Sequence, residues 1–191
     1  MLTINAIKSQ FPFIISESDL SLQLSIFTKD DIQDDYVNWL NDPDIVKFSD
    51  QRFKQHSFES CVDYLDSIAS TENLLIAIKD SQTDQLLGTT GVSLNRYHSV
   101  ADIGLLIGKD NWGRGIGLAV WRTLMLFLLE KCSVRKVTGG TLSCNLPMIK
   151  IMQNAGMEAD GIRHQHQQVD GIAYDIVHFY SLITTIRNET I

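Results

Sequence analysis

The sequence predicts a mixed α/β fold, a single sheet combining parallel and antiparallel strands. Three observations predict it. Several short segments alternate apolar and polar residues, polar turns of hairpin length join some of them, and segments with helical spacing of apolar residues separate others.

In chain order, Leu22, Leu24 and Ile26 alternate with polar residues, as in a half-buried strand. Thr28, with Asp31 three positions on, supplies a cap for a helix whose apolar side is Ile32, Tyr36, Trp39 and Leu40. Asn41-Asp42-Pro43 ends that helix. Ser57 caps a second helix, along which Phe58, Cys61, Val62, Leu65, Ile68 and Ala69 keep helical spacing. Leu74 to Ile78 and Leu86 to Leu94 flank the polar turn SQTDQ and predict a hairpin, followed by a third strand over Ala101 to Ile107. The glycine-rich turn NWGRGIG then leads into an apolar helix reaching about Lys131. Beyond it come a strand over Lys136 to Ser143, a short helix over Pro147 to Ala155 stopped by Gly156, and two last strands flanking Asp170-Gly171. The count is about seven strands and about four helices.

Three prolines, no low-complexity tract and no long repeat leave no internal domain boundary. Residues 1–20 are expected to form an N-terminal extension, and 21–185 a single domain. The N-terminus lacks the basic start, long apolar run and cleavage site of a signal peptide. The longest apolar stretch, Ile116 to Leu129, is broken by Arg122 and Thr123 and is shorter than the ~20 residues a membrane span needs. Three unclustered cysteines, Cys61, Cys132 and Cys144, predict neither a disulfide framework nor a zinc site, and a cytoplasmic location follows from that usage.

The formal net charge of −7 excludes a sequence-independent nucleic-acid binder, which neutralises phosphates with clustered Lys and Arg. The charge is uneven: residues 1–100 carry 7 basic and 15 acidic side chains, residues 101–191 carry 9 and 8.

Gly113-Arg114-Gly115-Ile116-Gly117 lies between an apolar strand and an apolar helix, where backbone amides at a helix N-terminus can cradle an anion. It lacks the Gly-Lys-Ser/Thr of a Walker loop, and Leu118 stands where a dinucleotide fingerprint needs glycine. With its neighbours, the turn resembles the GNAT superfamily of acyl-CoA-dependent N-acyltransferases, in particular the RimJ/RimL-type branch. The resemblance spans about Leu22 to Ile183 and rests on W-G-R-G-I-G at 112–117, W-L-N-D-P at 39–43, A-D-I-G at 101–104 and D-G-I-A-Y-D at 170–175.

That resemblance implies a central sheet that splays open beside the strand before the glycine loop. It assigns acetyl-CoA as co-substrate, with no metal. The pantetheine arm would pair with the main chain of Leu105, Leu106 and Ile107, a backbone amide of this stretch, Leu106, would stabilise the oxyanion, and Trp112, Gly113, Arg114, Gly115, Ile116 and Gly117 would hold the pyrophosphate. The Trp112 side chain, like Trp121, reads as core. Asn145 matches an asparagine that contacts the acyl-CoA and is equally a helix cap.

The chemistry needs a neutral amine, hence a proton acceptor. Met152 and Met148 stand where relatives carry a tyrosine acid and a serine, and neither methionine transfers a proton. Asp102 is the favoured base; Tyr97, His98, Ser143 and Cys144 are alternatives, and positioning with water carrying the proton is equally consistent. His164 and His166 share a strand face, but Gln165, Gln167 and Gln168 supply no further strong ligand, so metal is not expected. Asp175 and Tyr180 are expected to support the sheet.

The first two helices and their loop would shape the acceptor site. Residues 30–50 hold seven acids, Asp30, Asp31, Asp34, Asp35, Asp42, Asp44 and Asp50, against Lys47. Such a surface attracts an amine or is simply solvated. Arg52, Lys54 and His56 suit the phosphates of a nucleotide-linked amino sugar. The expected acceptor is a small-molecule or peptide amine and the expected state a monomer or homodimer, the competing class being a non-catalytic acyl-CoA-binding or protein-interaction module of the same fold.

Overall fold

The computed structural model describes residues 3–17 and 19–183. The elements are α1 (Ile4–Lys8), β1 (Phe13–Glu17), β2 (Leu20–Ile26), α2 (Asp34–Asn41), α3 (Phe58–Ile68), β3 (Asn73–Asp80), β4 (Leu86–Asn95), β5 (Val100–Ile107), α4 (Ile116–Glu130), β6 (Lys136–Leu142), α5 (Leu146–Asn154), β7 (Glu158–Val169) and β8 (Ile172–Leu182). Eight strands form one sheet in the order β1-β2-β3-β4-β5-β6-β8-β7. Every neighbouring pair is antiparallel except β5 and β6, which α4 connects and which run parallel. The expected mixed, splayed sheet is therefore present, with one more strand and one more helix at its N-terminal edge than the sequence pattern predicts.

The sheet buries two faces. On one, the α4 residues Trp121, Leu124 and Leu128 pack against Leu24, Ile76, Val92, Ala101, Ile103 and Val137, and Met152 of α5 joins them. On the other, Tyr36 and Leu40 of α2 and Cys61 of α3 cover Phe27, Ala77 and Leu86. Alternation along β5 follows directly: Ala101 and Ile103 face α4, while Asp102 and Gly104 face the side that carries α2 and α3.

Among the described opening residues, β1 pairs with β2 as an edge of the sheet and α1 packs on the core, so they are not a separate appendage. Thr3 caps α1, its hydroxyl accepting from the Ala6 amide at 3.2 Å, and Ile4, Ile7 and Ile15 enter the core. Phe11 and Phe13 pack on Phe127 of α4 with ring centroids 5.6 and 4.9 Å away. The short, mixed-polarity run Phe13–Glu17 reads weakly as a strand, because an edge strand needs only one apolar face. The Thr28 and Asp31 pair also acts differently from expectation. Asp31 accepts from the Thr28 amide and hydroxyl at 2.7 and 3.0 Å, but closes a 3-10 turn over Lys29–Asp31; α2 starts later, with Gln33 as its N-cap. Asp31 is buried and takes Lys79 at 2.7 Å, which explains why an acid ends that turn.

Candidate active site

The parallel β5–β6 pairing lasts for three residue pairs, Val100 with Lys136, Ala101 with Val137 and Asp102 with Thr138. Past that point β6 follows β8 through Leu142 while β5 stays with β4 through Ile107, so the sheet opens between them. The wedge leaves β5 residues 103–107 without a strand partner on that side, five rises of ~3.3 Å or roughly 16 Å of exposed edge. Backbone groups on such an edge must find partners outside the ladder.

The ladder decides which groups face the wedge. Gly108 donates its amide to the Leu87 carbonyl at 3.0 Å, and antiparallel pairs alternate. Leu106, opposite Thr89, therefore turns its N–H and C=O toward β4, while Leu105 and Ile107 present theirs to the wedge. The amide of Leu106, expected as an oxyanion donor, points the wrong way because strand parity assigns it to the ladder. The Ile107 carbonyl is occupied: the Trp112 indole N–H donates to it at 2.8 Å. Trp112 is not core, as its side chain was expected to be, but is 48% exposed on the rim, whereas Trp121 is buried in the core as expected.

At the mouth of the wedge, a 3-10 turn over Lys109–Asn111 leads to the glycine turn. Buried Asn111 donates to the Leu87 carbonyl at 3.3 Å and accepts from Arg114 at 2.6 Å, which anchors the turn while leaving Arg114 exposed. Gly113 and Gly115 sit at φ 75° and 81°, in the left-handed region where a Cβ is strained. Gly115 is the N-cap of α4 and offers no side chain, so the first-turn amides of a 15-residue helix stay uncapped.

Asn145, across the mouth, is the N-cap of α5: its side-chain oxygen accepts from the Met148 amide at 3.4 Å and its Nδ2 donates to Thr141 at 3.0 Å. Ser143 and Cys144 precede it there, and the Ser143 amide donates to the Asp175 carbonyl at 2.8 Å. Met152 is fully buried beneath Trp121, a packing position that accounts for the absence of a proton donor.

At the closed end of the wedge, Asp102 borders a cavity of about 520 Å³ with Glu72, Ser93, Asn95 and Tyr97. Its Oδ2 accepts from the Thr138 hydroxyl at 2.7 Å. The carboxyl still reaches solvent through the cavity, but partial burial pushes its pKa above the ordinary aspartate value, against the Thr138 hydrogen bond and nearby His178. Of the alternatives, Tyr97 shares the cavity but is 77% exposed and bonded to Arg96 at 3.0 Å. His98 lies on the β4–β5 turn, its amide capped by Asn95 at 3.3 Å. Thr138 and His178 had no local signal in the sequence, because only the pairing of β5, β6 and β8 brings them to Asp102.

On the face expected to receive the acceptor, the segment after α2 is tied down at three points. Asp44 pairs with Lys109, which holds the carboxyl below its usual range. Arg52 donates to the carbonyls of Ser49 and Gln168 at 2.8 and 3.1 Å, and the His56 amide and carbonyl both bond the Asn41 side chain. Arg52 and His56 thus hold the loop, and Lys54 is the exposed cation of that trio. His164 meets Asp175 at 3.3 Å, and Asp175 also accepts from the Gln165 amide at 2.8 Å, closing an irregularity of β7. Tyr180 donates to Glu158 at 3.0 Å. No helix among the described residues is long and apolar enough to cross a membrane.

Comparison with known proteins bears on this geometry. A model of the acetyltransferase (GNAT) domain family matches residues 21–158. A probable N-acetyltransferase of Bacillus subtilis, YjcK, is 21% identical over 115 residues; the match covers 59% of this chain and 64% of that relative, a little under two thirds of its length. Among solved structures, the spermidine N-acetyltransferase of Vibrio cholerae in complex with CoA and spermine superposes with a TM-score of 0.75 at 17% identity, covering 85% of this chain and 96% of that one. RimL, the ribosomal L7/L12 alpha-N-protein acetyltransferase in complex with CoA, gives 0.77 at 14% identity, with 89% and 98% covered. At such identities these structures show the fold.

Proposed function

The chain belongs to the GNAT acetyltransferase family, and on that premise we propose that it transfers an acetyl group from acetyl-CoA to a primary amine by direct attack on the thioester. The observation that carries this reading is the wedge between β5 and β6, open along unpartnered backbone and ending at an uncapped, glycine-rich helix N-terminus.

In this reading the main chain of Leu105, Leu106 and Ile107 lines the pantetheine arm, and Gly113 to Gly117 with Trp112 and Arg114 hold the pyrophosphate. Acetyl-CoA supplies the activated acyl group. Strand parity supports moving the oxyanion donor from Leu106 to the amides of Leu105 and Ile107. Asn145 orders the wall of the mouth through its capping bonds. Asp102, at the closed end, receives the proton that the acceptor ammonium must lose, and partial burial raises its proton affinity above that of an ordinary aspartate. Of the two protons left on the attacking nitrogen, one neutralises the departing CoA thiolate and the other stays on the product amide.

The acceptor amine would enter from the face carrying α2 and α3, through the cavity beside Asp102. A nucleotide-linked amino sugar and a protein N-terminus are the two acceptor classes in view; because Arg52 and His56 are engaged within the loop, support for a phosphate contact rests on Lys54. We take residues 21–185 as one acyltransferase domain with α1 and β1 packed onto it, monomeric or homodimeric, working in a cytoplasm that keeps its three thiols free.

Thermal stabilisation by acetyl-CoA tests the site, and thiol release over a panel of amino-sugar nucleotides, N-terminal peptides, polyamines and aminoglycosides tests the reaction. Stabilisation followed by thiol release with one acceptor class is the expected result. Stabilisation with no acceptor turned over would favour the non-catalytic acyl-CoA-binding module, and no stabilisation would refute both.

A further inference from the structure

Two hydroxyls flank the Asp102 carboxylate, one from each neighbouring strand. Ser93 stands opposite Asp102 in the β4–β5 ladder, and Thr138 stands opposite it in the β5–β6 ladder. Residues opposite one another share a face of the sheet, so both lie with Asp102 on the side turned away from α4. They are not equivalent. The Thr138 hydroxyl donates to Asp102 Oδ2 at 2.7 Å, and among the described residues the Asp102 side chain makes no other hydrogen bond, to Ser93 or elsewhere.

Asp102 and Thr138 also form the last rung of the parallel ladder before β5 and β6 separate. Gly104 and Gly140, the next residues on this face of the two strands, carry no side chain to offer a second donor. At Gly140 the space is taken by His178 of β8, whose Nδ1 a Cβ would meet at 2.9 Å. Thr138 is β-branched and stiff at χ1, and its hydroxyl has one proton to give. The other acceptor in reach, the Ala101 carbonyl, is 3.4 Å away, so the shorter contact to the carboxylate takes that proton. Oδ2 is thereby engaged toward β6, and Asp102, on the wall of the cavity of about 520 Å³, keeps Oδ1 free of hydrogen bonds among the described residues.

The charged groups around Asp102 bond elsewhere. Lys136 of β6 meets Asp160 of β7 at 2.7 Å and lies 4.7 Å from the Tyr180 ring centroid, and Tyr180 donates to Glu158 at 3.0 Å. Across the cavity, Arg96 meets Glu72 at 3.4 Å and donates to Tyr97 at 3.0 Å. Neither these groups nor His178 forms a hydrogen bond with the Asp102 side chain; Thr138 does.

We propose that Thr138 is the positioning residue of the catalytic carboxylate: its hydroxyl fixes Asp102 Oδ2 at the fork of the sheet and favours the ionised form, leaving Oδ1 to take the proton of the acceptor ammonium. The inference rests on Asp102 acting as base. A hydrogen bond to the charged form stabilises that form, so removing the hydroxyl raises the proton affinity of Asp102.

The experiment is a pH titration of the aspartate side chains by carboxyl-carbon NMR in the full chain, the Asp102 signal being identified by its loss in Asp102→Asn. Thr138→Val keeps the β-branched shape and removes the donor, so the Asp102 midpoint should rise by about 1 pH unit. Thr138→Ala should do the same and serves if the valine variant fails to fold. Thr138→Ser keeps the donor and should hold the original midpoint, although serine is the weaker strand former and lowers Tm; a merely structural role would give the reverse order. Ser93→Ala should leave the midpoint in place. In kinetics, the acid limb of kcat/KM should move with the midpoint in Thr138→Val and stay in Thr138→Ser, with KM for acetyl-CoA unchanged. An unmoved midpoint in Thr138→Val and Thr138→Ala, or an equal rise in Ser93→Ala, overturns the proposal whether or not the protein is active. Should the midpoint move while Asp102→Asn keeps full kcat/KM, the hydrogen bond stands and the assignment of Asp102 as base falls.

Discussion

At Gly115 a single backbone angle carries the proposed anion site. Alanine there would strain φ 81° at a cost of about 1–2 kcal/mol while leaving the helix amides free. Glutamate would add a negative charge where a pyrophosphate is proposed. Gly115→Ala should therefore lower Tm and keep a thermal response to acetyl-CoA, whereas Gly115→Glu should lose that response; equal responses from the two would remove the loop from the site. At Asp102 the argument is about pH. A base must be deprotonated, and burial raises its proton affinity, so kcat/KM should fall with acidification at a pH above the ordinary aspartate range of about 4, and Asp102→Asn should abolish that limb. The cysteines differ in the same currency. Burial pushes the Cys132 thiol up to about 11 and Cys61 upward as well, while half-buried Cys144 borders the mouth of the wedge. Limited alkylation followed by peptide mass spectrometry should find Cys144 labelled first, more slowly with acetyl-CoA present.

Elements show why the pattern of apolar residues was a good guide. α4 is apolar nearly all round, and its Leu124 is fully buried among both strands and helices. Leu124→Ala should cost about 2–5 kcal/mol, read from urea unfolding with an unchanged m-value. Polar devices were harder to place. Thr28 and Asp31 form a capping pair that is plain in the sequence, yet Asp31 has a long-range partner in Lys79, with side chains only 6% and 15% exposed. Burial would lower the Lys79 pKa, but the Asp31 hydrogen bond and charge outweigh it and raise it. The stabilisation is thus whole below the unfolded lysine value of about 10.4 and is lost as pH climbs through the raised folded value. Asp31→Asn, which leaves that ammonium only the exposed Asp84 carboxylate at 3.4 Å, should destabilise by roughly 1–3 kcal/mol at pH 7. A change under half a kcal/mol would show that water replaces the carboxylate there.

For the whole molecule, the charge has an anatomy. The acidic half supplies α2, α3 and the loop at the proposed acceptor face, and the nearly balanced half supplies the glycine turn and α4. A cationic acceptor should accordingly show a KM that rises with ionic strength, because exposed charges such as Asp34, Asp35 and Asp50 act through screened water. Acetyl-CoA at 100 times its Kd should stabilise by about 2.7 kcal/mol, roughly 5–10 °C in Tm.

Periodicity, caps and turn residues by themselves determined nearly every element and its order, because alternation, helical spacing and glycine stops are local properties of the chain. They also located the glycine turn and, through four short motifs in order, the family. They did not reach the edge strand β1, whose single apolar face is too short a pattern, nor the direction of any backbone amide. Only the tertiary structure decided that the wedge starts after Asp102, that Leu106 turns its N–H into the ladder, and that His178 lies on Gly140. Each of these depends on register between strands, within the β4–β5 hairpin for Leu106 and across β5, β6 and β8 for the others, and register is set by the packed faces together, not by any segment alone.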